Sequence, residues 1–267
     1  MIDRNTQDLL AQAAEASPTP ELARRAIRLV DLTSLSGQET EAEIDALCHK
    51  AVANHVAAVC LYPVFLRQAR PLLAGSEVRL AAVANFPDGS DDIARAADEA
   101  AAAVADGADE VDVVAPVNAI MEGDVGIVGE LIEAVRVAIG PSTTLKLILE
   151  TGILADPDRI TAAARAGVMA GVNFLKTSTG KVPVGATPEA AAVLMQVCED
   201  AGLRVGFKAS GGIRTARDAA QYLALGDAIM GKDRITARTF RFGASSLLDD
   251  LLRVAGGGSS AEGGSGY

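Results

Sequence analysis

VNFLKTSTGK, residues 172–181, runs from a short apolar stretch through a lysine into a glycine-containing loop, and Thr187-Pro188 then marks the start of a helix. That order of strand, loop and helix describes one βα unit. The unit recurs in both directions. Downstream, RVGFKASGGIR at 204–214 repeats the strand, the lysine and the glycine loop; upstream, TTLKLILE at 143–150 and DEVDVVA at 109–115 are further apolar runs. Eight such runs lie at 30–33, 56–62, 78–84, 109–115, 143–150, 172–177, 204–209 and 240–245. Helical stretches are expected between them at 40–54, 90–106, 124–139, 157–169, 188–201 and 215–225. Ser90, Asp156 and Thr187 supply side-chain caps at helix starts, and Gly107, Gly171 and Gly202 stand where helices should stop. Eight strands in strict alternation with helices favour an α/β fold of the closed (β/α)8 TIM-barrel type over an open doubly wound sheet. An extra N-terminal helix near 20–29 is expected to cover the N-terminal end of the barrel.

The chain has 267 residues, a length that one such barrel fills. Residues 1–254 are assigned to it, and AGGGSSAEGGSGY at 255–267 to a flexible Gly/Ser-rich C-terminal tail too polar to bury a core. Hydrophobic residues make up 49% but aromatics only 3%, so the core must be built from Ala, Val, Leu and Ile. A net charge of −11 offers no global basic field, which excludes a general nucleic-acid or anionic-membrane binder. No run of eighteen apolar residues and no signal-like N-terminus occurs, so a soluble cytoplasmic protein is expected. Cys48, Cys60 and Cys198 are odd in number and lack CxxC spacing, as reduced thiols do. Cys60 reads as an inert core residue near a strand end. The two histidines, His49 and His55, read as structural or surface groups, and without a His-rich ligand set no metal or cofactor is called for.

In a barrel of this type, chemistry gathers at the C-terminal ends of the strands. Side chains alternate along a strand, so Asp112 faces away from Val111 and Val113, and Lys208 away from Val205 and Phe207. If the valines and Phe207 pack against helices, Asp112 and Lys208 point into the barrel. Lys176 ends the neighbouring strand, and strands about 4.8 Å apart bring the two lysines together. Desolvation and a like charge both disfavour an ammonium, so one of the pair is expected to be a free amine able to attack a carbonyl. The alternative is that each lysine forms a salt bridge at the rim with Asp112 or Glu150. Three glycine-bearing loops follow strands six to eight: Ser178–Lys181, Ser210–Arg214 and Gly243–Ser246. Each alone suits a turn, but together they suit a phosphate held by backbone N–H groups and helix N-termini.

These segments carry a resemblance. VDLTSL, VCLYP, ANFPDG, GADEVDVV, LKTSTGK, GFKASGGIRT and RFGASS, in this order between Leu29 and Leu252, closely resemble the deoxyribose-phosphate aldolases, class I aldolases with a TIM-barrel fold. The resemblance implies that Lys176 forms a Schiff base, that Lys208 perturbs it and joins a proton relay, and that Asp112 completes the relay. It further implies phosphate contacts from Thr179, Gly180, Lys181, Gly211, Gly212, Ser245 and Ser246, with Arg214 nearby. Ala209-Ser210 departs from the Pro-Ala of some members and leaves the glycines in place. Members tend to end in a mobile tail with a terminal tyrosine that assists proton transfer, here Tyr267. Asp31 and Thr33, at the end of the first strand, are expected at the barrel mouth, either orienting substrate or supporting structure.

The activity so implied is reversible cleavage of 2-deoxy-D-ribose 5-phosphate to D-glyceraldehyde 3-phosphate and acetaldehyde, with a sugar phosphate and aldehydes as the partners and a homodimer as the family's usual state. The alternatives are a class I barrel aldolase acting on another sugar phosphate, and a barrel that binds sugar phosphate without catalysis.

Overall fold

A computed structural model describes residues 3–261. All eight expected strands are present: β1 (Val30–Ser34), β2 (Ala58–Leu61), β3 (Arg79–Ala84), β4 (Glu110–Val114), β5 (Thr144–Ile148), β6 (Phe174–Lys176), β7 (Gly206–Ser210) and β8 (Phe240–Ala244). Each pairs in parallel with its sequence neighbours, and β8 pairs with β1 to close the barrel. Helices α1 (Arg4–Ala14) and α2 (Pro20–Ile27) precede β1, and α3 (Glu41–Asn54), α4 (Leu66–Leu72) and α5 (Ile93–Ala105) follow the first three strands. After β4 come α6 (Val117–Met121) and α7 (Gly126–Ile139); after β5, α8 (Thr151–Leu154) and α9 (Pro157–Met169). The last three strands lead into α10 (Pro188–Asp200), α11 (Ala216–Gly226) and α12 (Leu247–Ala255). None of the described helices is long and apolar enough to cross a membrane.

Local chemistry sets the helix ends. The side chains of Thr187 and Asp156 accept first-turn N–H groups, each just before a Pro at the first helical position. Gly107, Gly171 and Gly202 follow their helices at φ values of 106°, 98° and 72°, a conformation that costs glycine little. The expected cap at Ser90 moves two residues on: Asp92 caps α5 through Arg95 N, while the Ser90 hydroxyl accepts from Asp92 N. Asp92 is the residue whose carboxylate stands in register with the first helical turn.

The N-terminal segment also differs from expectation. It forms two helices, and α2 packs in the outer ring against α12 and α11 instead of covering the end of the barrel. Its buried Ala23, Ala26 and Ile27 explain this, because they form one apolar stripe that seeks a helical neighbour. The N-terminal end of the barrel therefore opens into a cavity of about 830 Å³. At the other terminus α12 includes Ala255, and residues 256–261 fold back toward the helix. Asp250 accepts from Ala261 N at 2.9 Å and from the Ser260 hydroxyl at 2.6 Å, and also caps α11 through Ala216 N at 2.7 Å. Tyr267 lies outside the described residues.

The outward faces of the strands and the inward faces of the helices merge into one large apolar cluster. Closure is tightest at Gly206 on β7, where a Cβ would stand 2.6 Å from Phe174 Cε1 and 2.8 Å from Thr239 Cα. Both neighbours are buried or backbone atoms with little room to yield. Gly206→Ala should therefore destabilise the protein by about 1–3 kcal/mol, the usual cost of overpacking, read as a lower urea midpoint at unchanged slope.

Candidate active site

The inner face of the barrel is divided. On one side, Cys60 of β2 and Ala81 and Val83 of β3 form a small apolar cluster with Leu35. On the other, strand alternation turns Asp31, Glu110, Asp112, Lys146, Lys176, Lys208 and Arg241 inward, and all seven are buried. They form one connected ion-pair network. Asp112 is its hub: Oδ2 accepts from Lys176 Nζ at 2.9 Å and from Lys208 Nζ at 2.8 Å, while Oδ1 accepts from Lys146 Nζ at 2.6 Å. Lys208 also reaches Asp31 Oδ2 at 2.6 Å, and Lys146 reaches Glu110 Oε2 at 2.5 Å. Arg241 closes the network by pairing with Asp31 and, at 3.0 Å, with Glu110 Oε1. Gly243 makes room for it, since a Cβ there would lie 2.8 Å from Lys208 Cε.

Four cations thus share three carboxylates, so the network holds one cation too many. Lys146, Lys208 and Arg241 each touch at least two carboxylates, whereas Lys176 touches only Asp112. Their titration diverges accordingly. Burial pushes the Lys176 amine below its ordinary range, and the Lys208 ammonium adds to the shift despite Asp112. Burial also works against the Lys208 ammonium, but Asp112 and Asp31 outweigh it and hold Lys208 above its ordinary range. Asp112 is held well below the carboxylate range because three lysines overcome its desolvation. The lysines stand side by side in the β6–β7 register, with Lys176 opposite Lys208. The arrangement thus shifts the two lysines in opposite directions, Lys176 toward the amine and Lys208 toward the ammonium. The salt bridges considered above do form, both to Asp112, but inside the barrel instead of at the rim, and Glu150 pairs with neither lysine.

Above this network, at the C-terminal mouth, a cavity of about 380 Å³ is lined by Thr179, Gly180, Lys181, Gly211, Gly212, Arg214, Ser245 and Ser246, which come together from three loops. Two of those loops stack backbone on backbone. A Cβ on Gly211 would stand 3.1 Å from Gly185 Cα and 3.3 Å from Gly180 Cα, and Gly180, Gly211 and Gly212 all have positive φ. Glu150, itself left-handed at φ 49°, sets the first loop: its carboxylate accepts from Thr179 N at 3.3 Å and from the Thr179 hydroxyl. A non-glycine residue in that conformation costs of order 1–3 kcal/mol, which the buried hydrogen bonds offset. Ser246 precedes α12 without a side-chain cap bond, so the first-turn N–H groups of that helix face the mouth uncapped by a side chain.

Thr33 lines this cavity. Asp31 does not: it shares Thr33's inward face but sits two residues deeper on β1, fully buried and paired to Lys208 and Arg241. Cys60 is buried, and burial pushes its thiol up, away from the reactive thiolate. Lys146, Glu110 and Arg241 are functional-site residues that sequence reasoning missed. The parity argument that turned Asp112 inward would have found Glu110, two residues earlier, and the lysine set between leucines in TTLKLILE carries the same signal.

The comparisons agree with this architecture. Residues 25–253 match the family model described as DeoC/LacD family aldolase. Among solved structures, a candidate deoxyribose-phosphate aldolase from Coccidioides immitis is 29% identical, with a TM-score of 0.78 over 94% of this chain and 98% of that one. A candidate deoxyribose-phosphate aldolase from Toxoplasma gondii ME49 superposes with a TM-score of 0.82 at 26% identity, covering 89% of this chain and 97% of its own. The tetrameric deoxyribose phosphate aldolase of Aeropyrum pernix is 27% identical, with a TM-score of 0.72 over 92% and 97% of the two chains.

A lysine whose folded-state pKa is lowered binds fewer protons when folded than when unfolded, so stability rises with pH until the ordinary lysine value is reached. Lys176→Met, which leaves Asp112 paired with Lys146 and Lys208, should raise stability at pH 7 and flatten that rise. Urea unfolding at pH 7 and pH 9.5 tests this; an unaltered slope with pH would contradict a depressed Lys176. With a family model spanning most of the barrel and homologous structures covering nearly all of it, the chain belongs to the DeoC/LacD family of aldolases.

Proposed function

We propose that the protein is a deoxyribose-phosphate aldolase that cleaves 2-deoxy-D-ribose 5-phosphate reversibly through a Schiff base on Lys176. The observation that carries this reading is the surplus cation: of two adjacent buried lysines, Lys176 alone is pushed toward the neutral amine, and it lies beneath a mouth suited to an anion. The neutral amine attacks the C1 aldehyde to give a carbinolamine. Loss of water, with a proton supplied from the Asp112–Lys208 pair, leaves a protonated imine. The imine draws the electrons of the C2–C3 bond as the C3 hydroxyl gives up its proton. That step releases D-glyceraldehyde 3-phosphate and leaves the acetaldehyde enamine. Protonation at carbon and hydrolysis by water then free acetaldehyde and Lys176.

The C5 phosphate is the group assigned to the C-terminal mouth. Gly180, Gly211 and Gly212 let the backbone approach it, Ser245 and Ser246 bring it to the N-terminus of α12, and Lys181 and Arg214 add full charges. Holding the phosphate away from the reacting carbons orients C1 toward Lys176 and raises the effective concentration of the amine. Thr33 is placed to contact the sugar hydroxyls. Asp31 acts from below as a positioning residue, because its bond to Lys208 keeps that side chain charged.

Tyr267 is the proposed proton donor to the enamine. Ala261 is anchored to Asp250, one turn into α12 from the mouth, and a further six residues of chain span up to about 20 Å. That length is enough to bring a terminal side chain to the mouth.

Sodium borohydride added with acetaldehyde should leave an ethyl group on Lys176, located by peptide mass mapping. No adduct, or an adduct on Lys208 alone, would sink the Schiff-base assignment. Lys208→Leu removes the ammonium that opposes charge on Lys176. Turnover should drop by roughly 10²–10⁴, and the midpoint for trapping should move to higher pH. Deleting residues 262–267 should slow hydrogen exchange at the methyl carbon of acetaldehyde while the unfolding transition stays in place; unchanged exchange would remove Tyr267 from the mechanism.

A further inference from the structure

The cavity at the N-terminal end of the barrel has a charge opposite to that of the protein. Six of the chain's 18 arginines line it and none of its 6 lysines, although the net charge is −11. Two of these arginines are already committed: Arg70 pairs with Asp109 at 3.0 Å, and Arg241 is held by Asp31 and Glu110. The other four, Arg28, Arg79, Arg204 and Arg238, make no side-chain hydrogen bond or ion pair among the described residues and are exposed. Glu77 is the one lining carboxylate in the same condition.

Their placement is regular. Arg204, Arg238 and Arg28 each stand two residues before a strand, ahead of β7, β8 and β1, which are consecutive around the barrel. Neighbouring parallel strands are about 4.8 Å apart, so the three stems leave the rim within a short arc. Arg79 opens β3 farther round the rim. Like charges crowded around a concave, low-dielectric wall repel each other and focus a positive potential into the bowl. Guanidinium groups suit phosphate oxygens in particular, since their paired N–H donors match two oxygens at once.

We propose that this bowl is a second anion site, at the opposite end of the barrel from the catalytic mouth, and that it takes an oligophosphate: a small anion with several charges spaced along a phosphate chain. A single phosphate would engage one or two of the four guanidinium groups; a longer one bridges the arc. A cavity of about 830 Å³ at the strand ends is of a size that holds a small molecule.

Inorganic pyrophosphate titrated calorimetrically into the full chain at low ionic strength tests the site, with Arg28→Ser/Arg238→Ser as the comparison. The double variant should bind pyrophosphate at least tenfold more weakly while retaining normal retro-aldol turnover. Orthophosphate should bind the unaltered protein more weakly than pyrophosphate does. Absence of pyrophosphate binding would overturn the proposal. So would equal binding by the double variant, particularly if Lys181→Ala then abolished it, because the anion would be seated at the catalytic mouth instead.

Discussion

The structure depends on an imbalance of charge inside a closed barrel. Four cationic side chains and three carboxylates are buried together there, and burying an unpaired charge is far costlier than surrendering a proton. The surplus is settled at the member with the fewest partners. Lys176 has one carboxylate contact, Lys208 has two and Lys146 has three, so the ammonium form is favoured on the latter pair and disfavoured at Lys176. The pKa values of two neighbouring lysines are thereby moved in opposite directions by their surroundings.

The network also ties the two ends of the barrel together. Arg241 lines the N-terminal cavity, and from it carboxylates and ammonium groups alternate through Asp31 and Lys208 to Asp112 and Lys176. Every member is fixed by at least one partner on a different strand, so the barrel cannot shift register without breaking ion pairs in its interior. This gives the buried ionisable groups rigid strand anchors, while the loops above them line the C-terminal mouth. Those loops owe their geometry to contacts between glycines: Gly185 and Gly211 stack so closely that a Cβ on Gly185 would collide with Gly211 O, and Gly180 and Gly211 take positive φ.

The alternation of apolar runs with Ala-rich helical stretches contains the fold itself. The strand boundaries differ from those read in the sequence by no more than two residues at either end, and all eight strands are where the pattern puts them. The inward direction of Asp112 and Lys208 was legible from the two-residue period, as was the gathering of the glycine loops at one mouth. What failed were statements about packing between segments. The stripe on α2 shows that it buries a face, but not that the face lies against α12 and leaves the N-terminal mouth open. Asp31 reads in the sequence as a strand-end residue beside Thr33, but it is the second residue of β1, and only closure of β1 on β8 reveals that it sits between Lys208 and Arg241.

By itself, then, the sequence determined the number and order of the strands, the side of each strand on which a charge falls, and the presence of lysines and glycine loops at the ends that carry chemistry. These follow from local periodicity and from backbone conformations that few residues adopt. Only the tertiary structure decided which lysine has its ammonium form disfavoured. That outcome depends on how many carboxylates surround each amine, and Asp31, Glu110 and Asp112 reach the lysines across separations of 34 to 177 residues that no local pattern encodes.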